Sequence, residues 1–151
     1  MNKPNIKQIL FLLLPAVAVF VAAMPSSVQI FPVTADQAAP VNPFACSYFS
    51  LIEDAYGAIA LPCAGLCAGI TLMLAGIWTV NKKPGLVTAI RCTAMAGAVL
   101  SVVPVLLKDT ELLIVPNVLV PIALLAEYVA ANSVSKKDDT AEKAMTGRRL
   151  G

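Results

Sequence analysis

Residues 56–80 contain no charged side chain, and residues 86–107 contain one, Arg91. A helix needs roughly 20 apolar residues to cross a bilayer, so each stretch is long enough to span. Between them lies a short basic turn, Asn81-Lys82-Lys83-Pro84-Gly85. Two apolar stretches joined this tightly form an antiparallel hairpin, and its two lysines orient it. Lys and Arg accumulate in cytoplasmic loops, so this turn is expected inside.

Composition supports membrane residence. Of 151 residues, 58% are apolar and 13% charged, against about 25% charged in a typical soluble domain. Mean hydropathy is +0.80. Histidine is absent, which removes the commonest metal ligand and the usual neutral-pH general base. No basic patch interleaves with aromatics as single-stranded nucleic acid requires, so nucleic acid is not expected as a partner. No cofactor is expected either.

Before the hairpin, residues 8–24 are uncharged, with Pro15 near the middle and Lys3 and Lys7 in front. Two readings stay open: a retained first span, or a signal peptide cleaved after Val21-Ala22-Ala23. Pro25 disfavours cleavage, and a retained helix is the preferred reading. Residues 25–55 form one long outer loop carrying Asp36, Glu53 and Asp54 but no Lys or Arg. Its prolines Pro25, Pro32, Pro40 and Pro43 break helices. Its apolar content places it on the outer membrane interface or over the bundle, with extended pairing around Val28–Val33. A fourth span is read over residues 112–131, with a kink near Asn117–Pro121 caused by Pro116 and Pro121. Residues 133–151 are read as a polar cytoplasmic tail with a short helix near 138–146.

The expected fold is thus all-α: an integral membrane four-helix bundle with both termini cytoplasmic. Charge supports that topology. Lys3, Lys7, Lys82, Lys83, Arg91, Lys136, Lys137, Lys143, Arg148 and Arg149 fall inside or at that border, and only Lys108 falls outside.

Small residues recur along two spans: Gly65, Gly69 and Gly76 in the second, and Ala89, Thr93, Gly97 and Ser101 in the third. Such stripes let helix backbones approach closely in lipid, so both are read as helix–helix contacts. Arg91 and Glu127 each sit about five residues inside the cytoplasmic ends of antiparallel neighbours. They are expected at one depth, as a structural ion pair or snorkelling to the interface, with ion or proton relay as the functional alternative.

Cys46, Cys63 and Cys67 lie toward the outer side, and Cys92 toward the inner. Three readings stand: small packing residues, a structural disulfide such as Cys46–Cys63, or thiol exchange. A Cys63–Cys67 bond within one helical turn has poor geometry. The layout resembles membrane oxidoreductases that pass electrons from outer thiols to a quinone, although those space the pair by two residues rather than three. The segment Tyr48-Phe49-Ser50, followed by Tyr56-Gly57 ahead of the second span, resembles uncharacterised four-span membrane proteins of Gram-positive bacteria. That resemblance implies a small bacterial integral membrane protein and supplies no activity.

The functional expectation is a non-enzymatic membrane protein, an accessory or self-associating subunit partnered by the lipid bilayer and by its own copies or another membrane protein. Two alternatives remain: an outer-face thiol–disulfide oxidoreductase using Cys46, Cys63 and Cys67, and an oligomeric transporter using Glu127 and Arg91.

Overall fold

A computed structural model describes residues 6–32, 44–50, 59–106 and 112–149. Four helices dominate: α1 (Ile6–Ala23), α2 (Ala60–Asn81), α3 (Pro84–Leu106) and α4 (Leu119–Arg149). Two of them, α2 and α3, are long and apolar enough to cross a membrane. Each helix packs on its neighbours in sequence, and α4 closes the ring against α1.

The inward faces follow one rule. Phe11, Pro15, Ala18 and Ala22 of α1 are buried, at steps of four, three and four. In α2 the buried line is Leu61, Ala64, Ala68, Thr71, Ala75 and Trp78. In α3 it is Val87, Ile90, Ala94, Gly97, Ser101 and Pro104. Val120, Leu124, Glu127 and Ala131 complete it in α4. Steps of three and four keep side chains on one helical face. Most of these residues are small, which lets the backbones approach closely, whereas large apolar residues such as Leu13, Phe20, Met73, Ile77, Val102 and Val129 point outward.

The hairpin turn forms where the sequence places it. Lys82 adopts a left-handed conformation (φ 47°, ψ 28°) and its N–H donates to Trp78 O at 2.9 Å, closing α2. Pro84 then opens α3, a position where its missing N–H has no partner to lose.

The all-α expectation needs correction. A three-stranded antiparallel sheet covers the opposite end of the bundle, built from β1 (Val28–Pro32), β2 (Phe44–Cys46) and β3 (Leu112–Pro116) in the order β2-β1-β3. Val28 pairs with both Cys46 and Pro116, and Ile30 with both Phe44 and Ile114. Val28, Ile30 and Ile114 are buried while Gln29 and Val115 are exposed, the period-two alternation of a sheet with one face on the core.

Residues 112–116 are therefore not the start of the fourth span. Pro116 closes β3, the Asn117 N–H donates to Ser27 O at 2.8 Å, and Asn117 Oδ1 accepts from the Leu119 N–H at 3.0 Å. This Asx turn starts α4. Pro121 falls in the first turn, where it removes no intrahelical bond, so the prolines mark a strand–helix junction instead of a kink. At the other end α4 continues to Arg149. Residues 133–149 are its last turns, so the short helix expected near 138–146 is part of α4; no Gly or Pro interrupts them before Gly147. Residues 33–43, 51–58 and 107–111, with Asp36, Glu53, Asp54, Tyr56, Gly57 and Lys108, lie outside the described residues.

Candidate functional site

The sheet end is closed by a plug from residues 47–49, which follow β2. Tyr48 is fully buried; its backbone N–H donates to Ala22 O at 3.0 Å, and its hydroxyl to Asn117 O at 3.4 Å. The Ser27 hydroxyl sits 3.2 Å from Ala22 O and 3.4 Å from Cys46 O. Burial raises the Tyr48 phenol to about 12, against a smaller opposing effect of the Ser101 hydroxyl. Phe49 lies over Gly65, where a Cβ would come within 2.8 Å of its ring. The Tyr48-Phe49 pair thus closes the sheet end of the bundle, Tyr48 fully buried and Phe49 partly exposed.

A Cys46–Cys63 disulfide, one of the three readings of the thiols, is not formed, and all four cysteines are free. Cys63 and Cys92 are exposed. Burial pushes the Cys46 thiol above its ordinary pKa, which disfavours the reactive thiolate. Among the described residues, no three His, Cys, Asp or Glu side chains are grouped to hold a metal.

Glycine use divides sharply. Gly97 is a close-approach point: a Cβ there would meet Leu124 Cδ1 at 2.9 Å and Cys67 Cβ at 3.0 Å. Gly65 serves the Phe49 plug. At Gly69 and Gly76 a Cβ would meet nothing within 4 Å, so this part of the second-span stripe is not a contact within the bundle. Of the third-span stripe, Gly97 and Ser101 are buried and Ala89 is half-buried. Thr93 Oγ1 stands 2.9 Å from Thr71 Oγ1 of α2 and donates to Ala89 O at 3.0 Å. Thr71 was not legible as a site residue, although it sits on the same three-and-four spacing as Ala64, Ala68 and Ala75.

Of the two structural readings of Arg91 and Glu127, ion pair or snorkelling, the ion pair is not formed. Both carboxylate oxygens of Glu127 and the Nε of Arg91 are buried without a hydrogen-bond partner. The reason is rotational. Glu127 lies on the core-facing line of α4, whereas Arg91 is one residue, about 100°, past core-facing Ile90. Its guanidinium instead lies over the Tyr128 ring, 5.7 Å from the centroid.

Glu127 occupies a distinct layer. One apolar cluster near the sheet includes Ala18, Ala68, Ala98 and Leu124, and a second, toward the hairpin turn, includes Phe11, Ala75, Ile90 and Ala131. Between them each helix contributes one buried residue: Pro15, Thr71, Ala94 and Glu127. Pro15 has no N–H to offer the Phe11 carbonyl, so three of the four helices bring polar capacity to this layer.

No protein-family model matches this chain, and neither a curated protein nor a solved structure matches it.

Proposed function

We propose that this chain is a four-span integral membrane protein, with both ends on the cytoplasmic side, that acts by contact rather than catalysis. It serves as an accessory or self-associating subunit in the membrane. The observation that carries this reading is the distribution of apolar bulk. Leu13, Phe20, Met73, Ile77, Val102 and Val129 point away from all four helices, while small residues predominate along the inward lines, with Phe11, Leu61, Trp78, Ile90 and Leu124 set among them. Water would not tolerate that outer surface; lipid accommodates it.

Gly69 and Gly76 support contact with a second chain, since both are half-buried on α2 and a Cβ at either would meet no described atom within 4 Å. The test is the oligomeric state of the purified chain in lipid nanodiscs, with Gly69→Leu and Gly76→Leu as variants. The proposal expects a dimer or higher assembly that these variants dissociate. A monomer at every protein-to-lipid ratio contradicts self-association.

One observation favours a second reading. The unpartnered carboxyl of Glu127 inside the bundle is the kind of group that marks ion or proton pathways in membranes. If it serves transport, Glu127→Gln abolishes flux in reconstituted vesicles while leaving the fold intact. Unchanged flux removes this reading. The thiol-exchange alternative has less behind it: the thiols are free, and the Cys67 Cβ is committed to packing near Gly97.

A further inference from the structure

The outer surface between α3 and α4 holds an open groove of about 710 Å³, lined by Thr88, Arg91, Cys92, Met95, Val99 and Tyr128 among others. We propose that this groove seats one anionic phospholipid from the leaflet on the Lys82–Lys83 side. The phosphate sits on the Arg91 guanidinium and an acyl chain runs along Met95 and Val99. The assignment rests on the membrane reading above.

Charge complementarity is the first argument. Among the described residues Arg91 has no carboxylate partner, and its Nε is buried with no hydrogen-bond acceptor. A guanidinium inside a bilayer without a counter-ion is costly, and its planar donors match the oxygens of a phosphate. The Tyr128 ring fixes the guanidinium from one side. Lys82 and Lys83 are exposed at the same end of the bundle, and neither α2 nor α3 contains an Asp or Glu. The turn end of the α2–α3 hairpin is cationic, so it favours a headgroup whose phosphate is not neutralised by its own amine.

Dimension is the second argument. From Thr88 to Val99 the helix rises about 16 Å, half of a hydrocarbon core of about 30 Å. The whole groove, polar at Thr88 and Arg91 and apolar from Cys92 to Val99, therefore runs about the depth of one leaflet. Free phosphate would satisfy Arg91 but leave Met95 and Val99 uncovered. An acyl chain fills that length, and its headgroup arrives at the charge.

The experiment is native mass spectrometry of the full chain released from nanodiscs holding equal phosphatidylglycerol and phosphatidylcholine. Wild type is expected to retain one phosphatidylglycerol per chain. Arg91→Gln is expected to lose that retention at least tenfold. Val99→Trp blocks the apolar arm without touching the charge and is expected to lose it as well. Arg91→Lys, which keeps the charge but not the fork, is expected to fall between. Thermal melts establish that each variant is folded; if Arg91→Gln is not, Val99→Trp and Arg91→Lys decide. Equal retention of the two lipids, or unchanged retention in Val99→Trp, overturns the proposal. So does displacement of the lipid by millimolar inorganic phosphate, which would mean a headgroup site alone. A wild-type chain that does not enter nanodiscs overturns the membrane reading first, an outcome separate from loss of lipid preference within the disc.

Discussion

Gly97 of α3 and Leu124 of α4 approach so closely that a Cβ on Gly97 would stand 2.9 Å from Leu124 Cδ1. The same Cβ would also stand 3.0 Å from Cys67 Cβ, so three helices meet at this hydrogen atom. Gly97→Ala should therefore destabilise the bundle by about 1–3 kcal/mol through overpacking. Gly69→Ala has open space and should be neutral or stabilising by up to about 1 kcal/mol, since alanine favours a helix. Unfolding of the monomer in detergent compares the two. Equal effects would mean that the close approach at Gly97 is absent.

Thr71 and Thr93 supply the polar link between α2 and α3, with hydroxyl oxygens 2.9 Å apart. Interhelical hydrogen bonds in membrane bundles are worth about 0.6 kcal/mol on average. A double-mutant cycle with Thr71→Val and Thr93→Val should return a coupling of that order. Coupling indistinguishable from zero would show that the two hydroxyls satisfy only their own helices.

Tyr48 gives the alkaline limit of the fold. Its ordinary pKa of 10.0 rises to about 12 in the folded chain, so the folded state holds the phenol proton after the unfolded chain has released it. The associated stability is complete below pH 10 and is lost as pH climbs from 10 toward 12. Tyr48→Phe should flatten that decline, and it should cost about 1–2 kcal/mol at neutral pH because it deletes the long hydrogen bond to Asn117 O and the interaction with the Ser101 hydroxyl. Tyr48→Ala should cost about 3–5 kcal/mol by emptying the core. Melting curves at pH 8 and pH 11 separate the cases, and a Tyr48→Phe chain with the wild-type alkaline slope would contradict the assignment.

Glu127 stands in the core with both oxygens unpartnered. Replacing a buried, unsatisfied carboxyl with an apolar side chain of similar size removes a desolvation penalty of about 1–3 kcal/mol. Glu127→Leu should thus raise the thermal midpoint. A lowered midpoint would mean that the carboxyl has a partner in the folded protein.

Helix existence was legible because uncharged apolar runs this long exceed any strand, and Lys82, Lys83 and Pro84 punctuate the hairpin without ambiguity. Part of β1 was legible from the extended character of residues 28–33. Its partner was not, because Leu112–Pro116 pairs with Val28–Pro32 across most of the chain, and no hairpin turn announces such a pairing. An apolar run with two prolines looks like the start of a kinked span until its hydrogen bonds are known. For Arg91 and Glu127, spacing along the helices suggested a shared depth but not the rotation that keeps them unpaired. Likewise the periodicity of Gly65, Gly69 and Gly76 identified a stripe without saying what faces it. The inward line runs through Ala64, Ala68 and Ala75, one residue away, and this leaves two of those glycines uncovered.

The central claim is that the outward faces of all four helices meet lipid. Single spin labels at Leu13, Met73, Val102 and Val129, in a background with the native cysteines replaced by serine or alanine, test it by power saturation in vesicles. The account predicts that oxygen relaxes all four labels more strongly than a water-soluble nickel complex does. Greater access for the nickel complex at these positions would place the faces in water and contradict the membrane-spanning bundle.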